Sequence, residues 1–314
     1  MNARSPRLVH TGNVVIDVVM YLPHLPQVGG DVLASGSRIT AGGGLNVMVS
    51  AARQGLPVAY AGMHGTGPFA NLAREQLAQA GVDLVQPALP DVDTGFSVAL
   101  IDPTGERTFA TSVGAEARLG PEDLARVDLR PGDVVCVSGY SLAYPSNGPA
   151  LAAWLPTVPP EVTVVVDPGP LVAEIPASVL GAARERADWW SCNEREARIL
   201  TDHADPAAAA ASLAARTGRA GVVVRTGPQG AVLATADQCL HVPAFPVTVV
   251  DTNGAGDAHV GAFVAALVAG LDPVRAVRRA NAAAALAVTR HGPATAPSAA
   301  QVDELLAGSL VDGA

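Results

Sequence analysis

Residues 247–263 constrain this chain more tightly than any other stretch. Residues 247–250 have strand character, 251–256 read as a tight polar turn, and an Ala- and Val-rich segment of helical spacing runs on to about Gly270. A strand that delivers a glycine turn to a helix start gathers unpaired backbone N–H groups and the positive end of the helix dipole at one point. Such a point suits an anion, most often phosphate. Gly254 and Gly256 let the backbone approach that anion with no Cβ in the way. Asp257 adds a second requirement. A carboxylate beside a phosphate cradle repels the ligand, so a plain binding loop gains nothing from it. A general base beside a hole for developing charge needs both parts. The competing reading makes Asp257 a first-turn acid that complements the dipole, with the glycines shaping a turn. A dinucleotide fingerprint fails, because the next glycine is Gly261 and G-x-G-x-x-G is not completed.

The surroundings of this stretch read as repeated strand–helix units. Residues 8–16 form a buried strand closed by Asp17, and strands follow near 57–61, 133–138, 162–167, 188–192 and 221–225. Helices fall near 46–55, 69–80, 146–155, 176–186, 205–217 and 273–290, with a last one starting at Ser298. This alternation predicts an α/β fold: a doubly wound, mostly parallel sheet with helices on both faces. Two pieces break the alternation. Residues 18–40 hold two short alternating segments separated by Pro23, Pro26 and Gly29-Gly30, and residues 95–111 read as a hairpin around Asp102-Pro-Thr-Gly-Glu106. Together they supply about four strands for a small separate sheet that covers a cleft as a lid. The expected organisation is one domain, 1–314, with a discontinuous lid from about 17–41 and 94–113. A second hairpin is expected over roughly 231–242.

Composition removes several function classes. At 314 residues the chain buries a substantial core, and 49% hydrophobic against 16% charged residues describes a globular chain. The net charge of −9 has no basic block within it, which argues against nucleic acid or an anionic membrane as partner. All 20 basic residues are arginine. Without lysine there is no Walker loop, no protein-kinase strand lysine and no Schiff base. If the chain handles phosphoryl groups, it must use backbone N–H groups, arginine and metal. Cys136, Cys192 and Cys239 are odd in number and far apart, as for buried thiols in a reducing compartment. No apolar signal core or membrane-length run is present, so a soluble, cytoplasmic protein is expected.

Ligands of open α/β sheets lie beyond the carboxyl ends of the strands. Asp17, Asn193, Glu196 and the 251–257 turn all read as such ends. Asp17 could bind two hydroxyls or merely cap a strand. Gly42, Gly43 and Asn46 bring backbone N–H groups and one amide to the same edge, for a neutral polyhydroxylated ligand or as a glycine turn with Asn46 capping the next helix. Asn193 and Glu196, three residues apart, share a helix face and could reach a hydrated Mg²⁺, or form an ordinary charged first turn. His259 reads as packing and Trp189-Trp190 as sheet core.

These motifs together resemble the ribokinase-like (PfkB) family of carbohydrate kinases over nearly the whole chain. Asp251-Thr-Asn-Gly-Ala-Gly-Asp257 resembles the family's C-terminal signature D-T-x-G-A-G-D. Ala41-Gly-Gly-Gly-Leu-Asn46 resembles the N-terminal one, and Asn193 to Glu196 is similar to its N-x-x-E. The resemblance implies that Asp257 is the base for a substrate hydroxyl and that the N–H groups of Gly254, Ala255 and Gly256 form the anion hole. It implies sugar contacts from Asp17, Gly42, Gly43 and Asn46, and Mg²⁺ held through water by Asn193 and Glu196. ATP would lie along Asn193, Thr226, Gly227 and Gly230, with Asn281 near the adenine. Asp251, Asn253 and Ser298 would belong to a monovalent-cation site, usually for K⁺. A homodimer through the lid is expected on the same ground.

The chain departs from the pattern at three places. Gly44 stands where many members carry lysine, Arg225 stands where Thr is frequent, and residues 293–296 lengthen the cation loop. The expected function is transfer of the γ-phosphoryl of ATP to a hydroxymethyl group of a small, unphosphorylated sugar. The alternatives are a nucleoside kinase with the same motifs and a non-catalytic sugar-binding regulator on this fold.

Overall fold

The structure, a computed structural model, describes residues 5–309. Its elements in chain order begin with β1 (Leu8–His10), β2 (Val14–Tyr21), β3 (Gly36–Gly43), α1 (Gly44–Arg53), β4 (Val58–Tyr60), α2 (Pro68–Gln79), β5 (Val82–Leu84), β6 (Phe96–Ile101) and β7 (Arg107–Ser112). The middle of the chain supplies α3 (Pro121–Leu124), β8 (Val134–Ser138), α4 (Gly139–Ala143), α5 (Asn147–Trp154), β9 (Thr163–Asp167), α6 (Ala177–Arg186), β10 (Trp189–Asn193) and α7 (Glu194–Thr201). Then come α8 (Pro206–Thr217), β11 (Gly221–Arg225), β12 (Gly230–Ala234), β13 (Cys239–Pro243), α9 (Ala255–Val268), α10 (Pro273–Ala287) and α11 (Ala299–Gly308).

Nine strands form one sheet in the order β13-β12-β11-β10-β9-β8-β1-β4-β5. It is parallel from β11 to β5, and the hairpin of β12 and β13 adds two antiparallel strands at one edge. Runs such as Val134-Val-Cys-Val137 and Val222-Val-Val224 are buried on both faces, as covered parallel strands require. Successive residues alternate between two cores. Leu8, Trp189 and Val223 face the side of α1, α9 and α10, while Val9, Trp190 and Val222 face the side of α5, α6 and α8. The tryptophan pair is thus split between the faces, with Trp189 edge-on to Phe263 at 5.2 Å between centroids. Both tryptophans are core.

Four strands form the separate sheet, in the order β3-β2-β6-β7. The α/β architecture with a second small sheet is therefore as expected, with three local differences. Residues 8–16 are not one strand. β1 lies in the large sheet and β2 in the small one, and Thr11-Gly12-Asn13 breaks the apolar run between them. Asp17 therefore sits mid-way along a lid strand, opposite Thr40 and Ser97, rather than at the end of the first core strand. Second, Gly42 and Gly43 belong to β3, and α1 begins at Gly44, so Asn46 lies inside the first helical turn and caps nothing. Third, residues 247–250 carry no strand, and Val249 and Val250 are exposed. β propensity fails there because no neighbouring strand pairs with the segment.

The lid meets the body at glycines. Gly43 has φ 63° and donates no side chain where Asn13 O would stand 2.9 Å from a Cβ. The N–H groups of Gly95 and Gly114, at the start of β6 and the end of β7, both donate to the buried carboxylate of Glu116 at 2.8 Å. One acid thereby fastens the hairpin to the body. No helix among the described residues is long and apolar enough to cross a membrane.

Candidate active site

The position of Asp257 is set by how closely two helices approach. At Gly261 a Cβ would lie 2.5 Å from Val47 O and from Ser50 Cβ, so only glycine lets α9 settle on α1. Ser50 Oγ fastens the contact by donating to Ala258 O at 2.8 Å. The result is that Asn46 Nδ2 donates to Asp257 Oδ2 at 2.9 Å, joining two motifs 211 residues apart in the chain. Burial pushes the Asp257 carboxyl up to about 6. The Asn46 bond and Arg225 pull it down, and Asp167 and Asp17 push the same way as burial.

Gly254 caps α9 in the left-handed region at φ 76°, where a Cβ would also strike Pro293 O at 2.2 Å. The first helical bond runs from Ala258 N to Gly254 O. The preceding N–H groups are those a helix start leaves over, although Ala255 N makes a long 3.3 Å bond to Thr252 O. Gly254, Ala255, Gly256 and Asp257 thus occupy one turn.

This turn lines a cleft of about 640 Å³ that also holds Asp17, Gly43, Asn46, Asn253 and Glu196. A groove of similar volume beside Trp154 contains none of the motif residues. In the cleft, Asn13 Oδ1 and Asn46 Oδ1 are buried with no hydrogen-bond partner, as suits groups that wait for hydroxyl donors. Asp17 lies across Gly42, whose Cβ would be 2.2 Å from Asp17 Oδ2. Burial raises the Asp17 carboxyl to about 6, with Arg38 acting against it. Beside it Ser97 and Thr111 share a 2.8 Å hydroxyl contact. His10, at the end of β1, accepts from Gly12 N at Nδ1, and burial lowers it to about 4. It is neutral at pH 7, with its proton on Nε2. A Cβ at Gly44 would lie 2.3 Å from the His10 ring, which is the physical reason no lysine stands there.

Asn193 and Glu196 form a closed capping box. Glu196 accepts from Asn193 N and Nδ2, each at 2.8 Å, and Asn193 Oδ1 accepts from Glu196 N at 2.9 Å. Glu196 is buried and its carboxyl is raised by that burial and by Asp167. No group of three or more His, Cys, Asp or Glu able to hold a metal ion exists among the described residues. The carboxylates of Asp167, Glu196 and Asp257 around the cleft nevertheless suit a cation that keeps its water, as Mg²⁺ does.

Just beyond β11, Thr226 N donates to Gly230 O at 2.8 Å, and Gly227 and Gly230 have φ of 58° and 112°. Thr226 Oγ1 is buried without a hydrogen-bond partner, and Thr226 does not line the cleft. Asn281 is also buried, but its amide donates to Val242 O and Pro243 O and its Oδ1 meets His259 Nε2 at 3.2 Å. Asn281 holds β13 against α10.

Asp251 Oδ1 accepts from Arg107 at 2.7 Å and from Asn253 N at 2.9 Å, while Oδ2 accepts from Gly292 N at 3.1 Å. Its positive partner here is a lid guanidinium. Ser298 Oγ caps α11, accepting from Gln301 N. Asn253 lines the cleft.

Sequence reasoning passed over His10, Asn13, Asp167 and Arg225 as site residues. Asp167 was findable as a strand-end carboxylate before Pro168-Gly169, and Asn13 as a polar break in an apolar run. Arg225 stands at a strand end too, but only the structure shows what it faces.

With this geometry in hand, comparison with known proteins is informative. The family profile described as "pfkB family carbohydrate kinase" matches residues 5–300. The chain is 34% identical over 292 residues to the uncharacterized sugar kinase YegV of Escherichia coli K12, covering 91% of this chain and 90% of that protein. It is 32% identical over 306 residues to an ATP-dependent ribose-1-phosphate kinase of Halopiger xanaduensis, covering 96% and 98%. A solved structure of a putative ribokinase II from Escherichia coli with ATP and Mg²⁺ shares the fold at a TM-score of 0.79 and 24% identity, covering 96% of this chain and 99% of the other.

Proposed function

The chain belongs to the pfkB family of carbohydrate kinases, phosphotransferases with an alcohol acceptor, and from that premise we propose that Asp257 deprotonates a hydroxymethyl group of a small, unphosphorylated sugar for attack on the γ-phosphorus of ATP. The hydroxyl oxygen forms a bond to phosphorus, the bond to the β,γ-bridging oxygen breaks with its electrons leaving on ADP, and the hydroxyl proton passes to Asp257. The observation that carries this reading is the single turn joining Asp257, bonded to Asn46, to the N–H groups at the start of α9. Base and anion hole lie close enough to act on one hydroxyl and one phosphoryl group.

Mg²⁺, if bound, would supply positive charge that offsets the charge of the phosphates. Glu196 and Asn193 would reach it through water, since their direct hydrogen-bonding capacity is spent largely on each other. Thr226, Gly227 and Gly230 would line the phosphates of ATP. Asp17, Asn46 and the strand end at Gly42 and Gly43 would take the sugar hydroxyls. The acceptor end of the cleft is lined by amides, hydroxyls and carboxylate with a neutral His10, and Arg38, whose charge reaches Asp17, does not line it, which favours a neutral sugar over a phosphorylated one. A K⁺ beside Asp251 would have to displace Arg107. A nucleoside acceptor has Phe109, Tyr140 and Tyr144 to stack on, the observation in favour of that second reading.

The test is ADP release with Mg²⁺ and ATP against free sugars, sugar phosphates and nucleosides, with Asp257→Asn alongside. Turnover on one neutral sugar that falls at least about 10³-fold in the variant is expected, because both proton removal and its positioning are lost. A binding response to a sugar with no Asp257-dependent turnover would leave the regulator reading in its place.

A further inference from the structure

Arg225 ends β11 with its side chain in the cleft, only 14% exposed. Its Nη1 corner is anchored by Ser191 Oγ at 2.6 Å and Asp167 Oδ2 at 3.3 Å. Glu196 Oε2 stands 3.7 Å from Nη2, close enough for charge attraction and too far for a hydrogen bond. The remaining edge, Nε–H and the Nη2 hydrogens, has no hydrogen-bond partner in the protein, and neither atom is sealed from solvent. That edge is the fork with which a guanidinium takes two oxygens of a phosphate or carboxylate.

The unpartnered edge lies over the anion-hole turn. Nε, Cζ and Nη2 are 3.6–3.7 Å from the point where a side chain at Gly256 would begin. Those are ordinary contact distances, and Gly256 is not in the left-handed region, so neither crowding nor backbone conformation requires glycine there. With no Cβ at Gly256, the guanidinium edge borders the helix start directly. Charge makes the same point. The cleft gathers Asp17, Asp167, Glu196 and Asp257 around this one arginine, and the chain has no lysine. An incoming polyphosphate meets four carboxylates, so a fixed positive group at its point of reaction is worth more here than in a neutral site.

We infer that Arg225 grips the terminal phosphoryl group of the nucleotide through its Nε–Nη2 edge, making it a catalytic residue of this chain. The inference deepens the phosphotransfer reading and rests on it. Gly256 adjoins Asp257, so a group held between Gly256 and Arg225 is the one next to the accepting hydroxyl, not the α- or β-phosphate. Nη1 anchoring fixes the fork before the nucleotide arrives, which a lysine ammonium on a flexible stem does not reproduce.

The experiment is calorimetric titration of the whole protein with Mg²⁺ plus ADP, and separately Mg²⁺ plus the β,γ-imido analogue of ATP, for wild type, Arg225→Lys and Arg225→Met. Arg225→Met is expected to lose about 10- to 100-fold in affinity for the imido analogue while ADP affinity stays within about threefold. Arg225→Lys, which keeps the charge beside Asp167, is expected to fall between. Equal losses for both nucleotides, or none for either, overturn the inference and leave the kinase reading standing. A wild type that binds neither nucleotide overturns both. Thermal melts check folding, and if the Met variant does not fold, the same comparison is decided on Arg225→Lys.

Discussion

Asp257 holds its proton well above the usual carboxylate range, at about 6, because burial outweighs the Asn46 bond and the nearby Arg225. A base works only when ionised, so activity should rise with pH through that value and level off above it. The acidic limb of kcat/KM is therefore expected near pH 6, about two units above that of an exposed aspartate. Asn46→Ala removes a hydrogen bond to the ionised form and should move the limb to higher pH. A limb near 4, or one that Asn46→Ala does not move, counts against Asp257 as the base in this environment. At this scale the sequence is legible where local geometry follows from a motif, as for the left-handed turn at Gly254 and the Asn193–Glu196 pair at a helix start. It was silent wherever the role depends on a distant neighbour. Nothing local says that Asn46 bonds Asp257, or that His10 fills the space over Gly44.

The lid strand β7 opens with Arg107, whose ion pair to Asp251 joins lid and anion-hole loop. The two side chains are 29% and 14% exposed, so the pair is partly screened and contributes about 1 kcal/mol or less. If the sugar is held under a closed lid, Arg107→Met should raise its KM about two- to fivefold with kcat nearly unchanged. Adding K⁺ to the variant should recover part of the loss, because Asp251, still accepting from Asn253 N and Gly292 N, then lacks a cationic partner. An unchanged KM with and without K⁺ would rule out this coupling. Among elements, hairpins with a turn signature such as Asp102-Pro-Thr-Gly were readable, as were helices with Asp205, Asp272 or Ser298 at the start. The division of residues 8–16 between two sheets was not, because an apolar run looks the same whether it is buried in one sheet or in two. The capping box at Asn193 was visible as spacing, yet its reciprocal bonds change what it offers a metal.

For the molecule as a whole, strand–helix alternation located the large sheet and the interruptions located the small one, since βαβ connection rules leave few topologies for such a pattern. How the molecule associates is a separate matter. Tyr21, Val28, Leu33, Ile39 and Phe109 are exposed on the lid and its loops, more apolar surface than an isolated lid needs. A homodimer through the lid is the expected form. Sedimentation velocity should show a dimer that Ile39→Asp with Leu33→Asp converts to monomer, and a monomeric wild type ends that expectation. The three-residue break between β1 and β2 bears on movement. The strand leaves this break at Val14, carries Asp17 mid-way and ends at Tyr21, which pairs with Ile101, itself opposite Arg107. Mechanically this is a lever whose fulcrum adjoins the acceptor site. At about 3.3 Å per residue, a rotation of about 10° would sweep the Arg107 end through roughly 4 Å while displacing Asp17 by less than about 2 Å. A rigid arm of that kind would move its tip more than twice as far as Asp17, so the cleft mouth would widen more than the part of the cleft that Asp17 lines.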